Sequence, residues 1–213
     1  MIEIEDLHKT FDEREVLKGI TLNVPEGMTQ VILGGSGSGK TVLMKHVIGL
    51  FKPDKGSVKV DGVEISKLSG RELTEARAKF GMVFQASALF DSMDVFDNVA
   101  FPVRERERGV DAETLKTRVT EKLAVVGLEP DIFTRMPADL SGGMRKRVAL
   151  ARALITDPKV VLYDEPTTGL DPITTDYVDE MIKAAKEKVG VTSMVISHDI
   201  ASAFNVGDFI AVL

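Results

Sequence analysis

Gln30-Val31-Ile32-Leu33-Gly34-Gly35-Ser36-Gly37-Ser38-Gly39-Lys40-Thr41-Val42-Leu43 is the stretch whose reading decides the fold. Gln30 to Leu33 reads as a short buried strand, and the spacing of Val42, Leu43, Val47, Ile48 and Leu50 is helical. Between them Gly34 to Thr41 matches G-x-x-x-x-G-K-[ST], in the strand, glycine loop and helix context that this pattern requires. Glycines let backbone N–H groups turn inward around an anion, and a helix N-terminus adds about half a unit of positive charge. The pattern therefore sets Gly34, Gly35, Ser36, Gly37, Ser38 and Gly39 around phosphate oxygens, Lys40 at the β- and γ-phosphates of a nucleotide, and Thr41 at Mg²⁺.

Outward from the loop, strand signals precede it. Ile2-Glu3-Ile4-Glu5 alternates, Ile20 to Val24 is a second strand, and Pro25-Glu26-Gly27 is a turn. Downstream, Val58 to Val60 and Val63 to Ile65 flank Asp61-Gly62 as a hairpin, and Phe80 to Phe84 is a short buried strand. The character then changes to helical, with clear segments at 111–126 and 143–156. Strands return at Lys159 to Tyr163 and Val191 to Ile196, around a helix from Ile173 to Lys188. This order predicts an α/β core from residues 1–90 and 157–213, with a helical subdomain of 91–156 inserted into it.

The chain has 213 residues, 44% of them hydrophobic and 28% charged, which fits a globular domain and excludes fibrous and disordered classes. No uncharged apolar run reaches the roughly 18 to 20 residues of a spanning helix, and the charged start Met1 to Thr10 is unlike a signal peptide. A soluble chain with an uncleaved N-terminus is expected. The apolar run Phe209 to Leu213 ends without a turn or cap, so truncation relative to a longer parent is expected too. Acidic residues outnumber basic ones, 33 to 27, for a net charge of −6, the wrong sign for a nucleic-acid partner. The absence of cysteine excludes disulfides, thiolate zinc sites and thiol nucleophiles.

Further candidate residues stand at strand ends. Asp164 and Glu165 follow the apolar run Val160 to Tyr163, where two desolvated acids are costly without a cation or a reacting water. Beside a phosphate loop, Asp164 is the expected Mg²⁺ anchor and Glu165 the general base toward an attacking water. His198 follows the strand Met194 to Ser197 and is expected at the same carboxyl edge, near a γ-phosphate, whereas His8 and His46 read as structural. Gln85 ends another strand and is a candidate for contact with Mg²⁺ or the water. Leu140-Ser141-Gly142-Gly143-Met144 precedes a basic helix, giving either an ordinary N-cap or a second anion-binding helix start through Ser141, Gly142 and Gly143.

The phosphate loop, Gln85, Leu140 to Met144, Val160 to Glu165, Gly169-Leu170-Asp171 and His198 stand in the order and spacing of an ABC-type ATPase cassette, and the resemblance spans nearly the whole chain. It implies a P-loop NTPase core with an antiparallel β subdomain and an inserted helical subdomain. It also implies ATP and Mg²⁺ as cofactors and a head-to-tail dimer with two ATP molecules between opposing phosphate loops and signature segments. In such a dimer Ser141 and Gly143 would contact the partner's γ-phosphate, Asp171 would lie across the seam, and Phe11 would stack on adenine. The signature departs from the commonest family pattern at its last position, where Met144 replaces glutamine.

The stretches Phe84 to Met93, Val95 to Pro102 and Leu140 to Val148 look like the Mla/Mce-type subgroup, whose ATPases drive phospholipid transport. The resemblance implies a cytoplasmic subunit, peripheral on the inner membrane, that docks an integral permease and works beside a lipid-binding Mce-type protein. The apolar residues after Gln85 offer a groove for a permease helix, or simply the core of the helical subdomain. Two alternatives share the motifs: a soluble ABC-type switch acting on ribosomes or DNA, and a transporter ATPase for another solute. A P-loop kinase would leave Ser141 to Met144 and His198 unexplained.

Overall fold

The computed structural model describes residues 1–213. The chain opens with two long strands, β1 (Ile2–Phe11) and β2 (Arg14–Val24), turning at Asp12 and Glu13. β3 (Thr29–Leu33) then runs through the glycine loop into α1 (Lys40–Val47). The hairpin of β4 (Lys55–Val60) and β5 (Val63–Glu64) turns at Asp61 and Gly62, with φ of 52° and 73°. Two positive φ values make the tight turn that an Asp-Gly pair favours. Ile65 leaves the strand and begins a short 3₁₀ turn. The segment closes with α2 (Gly70–Arg77) and β6 (Phe80–Val83).

Three helices follow without an intervening strand: α3 (Val95–Arg106), α4 (Ala112–Val125) and α5 (Gly142–Leu154). Each starts on an acceptor side chain of the kind that satisfies orphan N–H groups, namely Asp94, Asp111 and Ser141. The chain then alternates β7 (Val160–Asp164), α6 (Pro172–Val189), β8 (Thr192–Ser197), α7 (Ile200–Val206) and β9 (Phe209–Val212).

The strands form two sheets. One is antiparallel, in the order β2-β1-β4-β5, and the other is parallel, in the order β6-β7-β8-β3-β9. Both faces of the parallel sheet are covered, so its strands are apolar throughout, and their two-residue period divides them between two cores. Val31, Val161, Tyr163 and Val195 face the core shared with α3 to α7. Ile32, Val160, Leu162, Met194 and Ile196 face the core shared with α1 and the antiparallel sheet. The C-terminal ends of β3, β6, β7 and β8 all come out at one edge, the place where open α/β sheets bind ligands.

Candidate functional site

The glycine loop leaves β3 at that edge. Gly37 and Gly39 have φ of +77° and +107°, conformations closed to most side chains, so the loop curls back onto the start of α1. A Cβ at Gly35 or Gly37 would meet nothing within 4 Å, because both face open space. Ser38 Oγ is buried without a hydrogen-bond partner. The Lys40 side chain is 5% exposed, and its ammonium donates to the carbonyls of Gly34 and Gly35 at 2.7 and 2.9 Å. Lys40 Nζ also lies 3.5 Å from Glu165 Oε1.

The acidic pair is set by the end of β7. Thr41 Oγ1 donates to Asp164 Oδ1 at 3.5 Å, which joins α1 to the strand end. Burial and the neighbouring Glu165 charge push the Asp164 carboxyl above the usual carboxylate range, against the Thr41 hydrogen bond. Glu165 takes a left-handed φ of 51°, unusual for a residue with a Cβ and typical of strain held at a functional position. Its Oε2 accepts from Thr168 Oγ1 at 2.6 Å and lies 2.5 Å from His198 Nδ1. Burial pushes the Glu165 carboxyl up, but the Thr168 and His198 hydrogen bonds with the His198 and Lys40 charges outweigh it, and the net shift is downward.

These groups line one cavity of about 770 Å³, which holds the loop from Gly35 to Thr41 together with Gln85, Asp164, Glu165 and His198. Arg14, Val16 and Thr168 line it as well, and no motif marks them in the sequence. Arg14 and Val16 are brought there by the pairing of β2 with β1, and Thr168 by the turn after Glu165. An adjoining cavity of about 490 Å³ shares Arg14, Val16, Gly37 and Ser38.

Phe11 lines neither cavity. It packs edge-on against Phe51 with ring centroids 5.3 Å apart and carries Lys9 Nζ 5.4 Å from its ring. His46 is buried beside Phe51, with Nδ1 bonded to the Val42 carbonyl, while His8 bridges Asp6 and Glu15.

Ser141, Gly142, Gly143 and Asp171 lie apart from the phosphate loop, around a cavity of about 580 Å³ of their own. Ser141 Oγ accepts from Met144 N at 3.2 Å and Asp171 Oδ1 from Thr174 N at 3.0 Å, so both cap helices. One chain thus holds two separate surfaces, each at a helix N-terminus.

Comparison with known proteins then decides the family. The sequence profile described as "ABC transporter" matches residues 17–168. The chain belongs to the ABC transporter family. It is 43% identical over 212 residues to the "Probable ribonucleotide transport ATP-binding protein mkl" of Mycobacterium bovis, covering 100% of this chain and 58% of that protein. It is 40% identical over 209 residues to the "Intermembrane phospholipid transport system ATP-binding protein MlaF" of Haemophilus influenzae, covering 98% of this chain and 78% of that protein. A methionine import ATP-binding protein, MetN of Vibrio vulnificus, is 44% identical over 203 residues, 93% of this chain and 58% of its own.

Among solved structures, the ATP-binding cassette MJ0796, in a dimeric post-hydrolysis state bound to ADP and Pi, superposes with a TM-score of 0.88 at 35% identity. That match covers 100% of this chain and 94% of the other. The two-sheet arrangement is therefore the ABC cassette fold, and ABC cassettes bind ATP. The chain spans 58 to 60% of the length of the mycobacterial relatives it matches. None of its helices is long and apolar enough to cross a membrane.

Proposed function

We propose that this ABC cassette hydrolyses ATP and that its hydrolysis powers transport, of phospholipid, through a separate membrane permease. One observation carries the reading: a phosphate loop, a Thr-Asp pair, a strained carboxylate and a histidine converge in one cavity at the sheet edge. Lys40 already satisfies two carbonyls with its ammonium, and phosphate oxygens would replace them as charge-assisted acceptors. The loop from Gly35 to Gly39 and the otherwise unpartnered Ser38 hydroxyl would complete the cradle, and Arg14 and Val16 would bound it on the nucleoside side.

Glu165, ionised at neutral pH, takes the proton of the attacking water, while His198 and Thr168 fix its orientation by bonding one carboxylate oxygen. His198 stands next to where the γ-phosphate ends, so its ring can hold a terminal phosphate oxygen. The hydroxyl of Thr41, the carboxylate of Asp164 and the amide of Gln85 form an all-oxygen donor set of the kind Mg²⁺ takes when nucleotide phosphates supply further ligands. Bound there, Mg²⁺ would neutralise phosphate charge.

Separation of the Ser141, Gly142, Gly143 and Asp171 surface from the phosphate loop fits a head-to-tail dimer, in which each copy supplies what the other lacks. Phe11, packed on Phe51 outside the cavity, would turn toward an adenine ring when nucleotide binds. Residues 91–156 would move as one helical subdomain on nucleotide binding. The exposed Phe84 and Phe90 border an apolar groove of about 440 Å³ with Phe101 and Pro102, suited to a permease helix. The likeness to an intermembrane phospholipid transport ATP-binding protein supports a peripheral position on the cytoplasmic face of the inner membrane, with a lipid-binding Mce-type protein in the assembly.

The test begins with ATP turnover by the wild-type chain and by Glu165→Gln. Retained ATP binding with turnover lost supports the ATPase reading, and equal turnover by both removes Glu165 from it. Mass spectrometry of proteins and lipids that co-purify from gently solubilised native membranes then decides the cargo. A permease with enriched phospholipid supports lipid transport, a solute-binding protein redirects the substrate, and ribosomal or DNA partners alone overturn the transporter reading.

A further inference from the structure

Lys146, in the second turn of α5, is 5% exposed, and its ammonium has one acceptor, the backbone carbonyl of Gln85 at 2.6 Å. An ammonium with three donors and one neutral acceptor is a costly thing to bury, and an apolar side chain of the same length would pack there more cheaply. The arrangement therefore calls for a role other than stability.

The same helix grips the following residues. Arg152 donates to the carbonyls of Ser87 and Ala88 at 2.9 and 2.7 Å. Those two residues hold φ of 62° and 48°, left-handed conformations that cost free energy without glycine and persist only where surrounding contacts impose them. Every one of these bonds ends on main-chain oxygen, so the Gln85 side chain is left free to face the phosphate-loop cavity. At its other end α5 begins with Ser141 as cap and Gly142 and Gly143 in the first turn.

We propose that Lys146, seconded by Arg152, is a positioning residue that clasps the Gln85 to Ala88 turn to α5 and so sets Gln85 for hydrolysis. The clasp makes the Ser141 end of α5 and the Gln85 corner of the nucleotide cavity move together. The catalytic part of this inference rests on the ATPase reading above, whereas the clasp itself does not.

Two variants separate the possibilities: Lys146→Met, which keeps the length and removes the donor, and Lys146→Gln, which keeps one. Amide hydrogen exchange of Ser87, whose N–H donates to the Phe84 carbonyl at 2.9 Å, is measured without nucleotide, and kcat and KM for ATP are measured with it. The expected result for Lys146→Met is about tenfold faster exchange at Ser87 and about tenfold lower kcat, with KM and melting temperature near wild type. Lys146→Gln restores most of both. Unchanged exchange in Lys146→Met overturns the clasp, and raised exchange with unchanged kcat overturns the positioning role. Equal losses in Met and Gln variants, in step with lost thermal stability, also overturn it. A wild-type chain that binds no ATP sinks the ATPase reading, and the exchange measurement still decides the clasp.

Discussion

Glu165 sits between two demands: its carboxylate must be charged to act as a base, and its backbone is held in a conformation that costs about 1 to 3 kcal/mol. The charge is held by bonds to one oxygen, Oε2, from Thr168 and His198, with Lys40 facing the other, and the backbone by the Glu165 N–H donating to the Ile196 carbonyl at 3.0 Å. Replacing the carboxylate by an amide keeps the shape and removes the base. Glu165→Gln is therefore expected to lower kcat by about 10² to 10⁴ while ATP binding persists, as read by single-turnover hydrolysis beside equilibrium binding. His198→Ala removes one of two orienting bonds and the ring proposed to hold a terminal phosphate oxygen but leaves the Glu165 base, and a smaller loss, at least about tenfold, is expected in the same assay. Because the Glu165 carboxyl is held below its ordinary range, hydrolysis should stay on its plateau as pH falls from 7 to 5 and fail only further into acid. A half-maximal rate near neutral pH would assign the acid limb to another group.

At the scale of elements, β6 and α5 approach so closely that one position tolerates only glycine. A Cβ at Gly81 would stand 2.5 Å from the Ala153 carbonyl oxygen, and the obstacle is backbone, which cannot swing aside. Gly81→Ala is expected to cost about 1 to 3 kcal/mol and to lower the melting temperature by about 2 to 4 °C per kcal/mol, with a cooperative transition retained. An unchanged melting curve would mean that the helix slides freely on the strand. Period-two and helical spacing, both local, made the parallel-sheet strands and α1, α4, α5 and α6 legible, whereas α2, α7 and the Arg14 to Gly19 half of β2 went unread. The phosphate loop was legible too, since its glycines carry their own backbone requirement.

Lys146 was not legible. Inside Arg145-Lys146-Arg147 it reads as one more solvated base, and its burial comes from a turn 61 residues earlier in the chain. Arg14, Val16 and Thr168 escaped for the same reason, since their place in the cavity is set by sheet pairing and a turn rather than by residue type. Ser141 and Asp171 illustrate a different limit. The Ser141 hydroxyl that accepts at a helix cap can equally donate to an anion, and the Asp171 carboxylate that caps α6 can equally face a partner surface, so the sequence pattern is the same for either use.

The whole molecule is two sheets with a shared core, and one carboxylate ties their edges at the surface. Asp61, at the β4–β5 turn of the antiparallel sheet, accepts from Lys79 and Lys159 at 2.7 and 2.8 Å, which lead into β6 and β7 of the parallel sheet. The Lys159 and Lys79 hydrogen bonds hold its carboxyl down at about 2, against an ordinary 3.8. A depressed folded-state pKa means that the contribution is complete above the unfolded value and disappears as pH falls through the folded one. Solvent reaches all three groups, so the contribution is discounted to about 1 kcal/mol or less. Asn tolerates the left-handed φ of this turn, so Asp61→Asn removes charge without adding strain. The wild type should therefore melt above Asp61→Asn by at most about 4 °C from pH 7 down to about 5, and the gap should close between about pH 4 and 2. A gap that survives at pH 2 would assign the difference to turn geometry, and no gap at pH 7 would mean that the core alone holds the two sheets together.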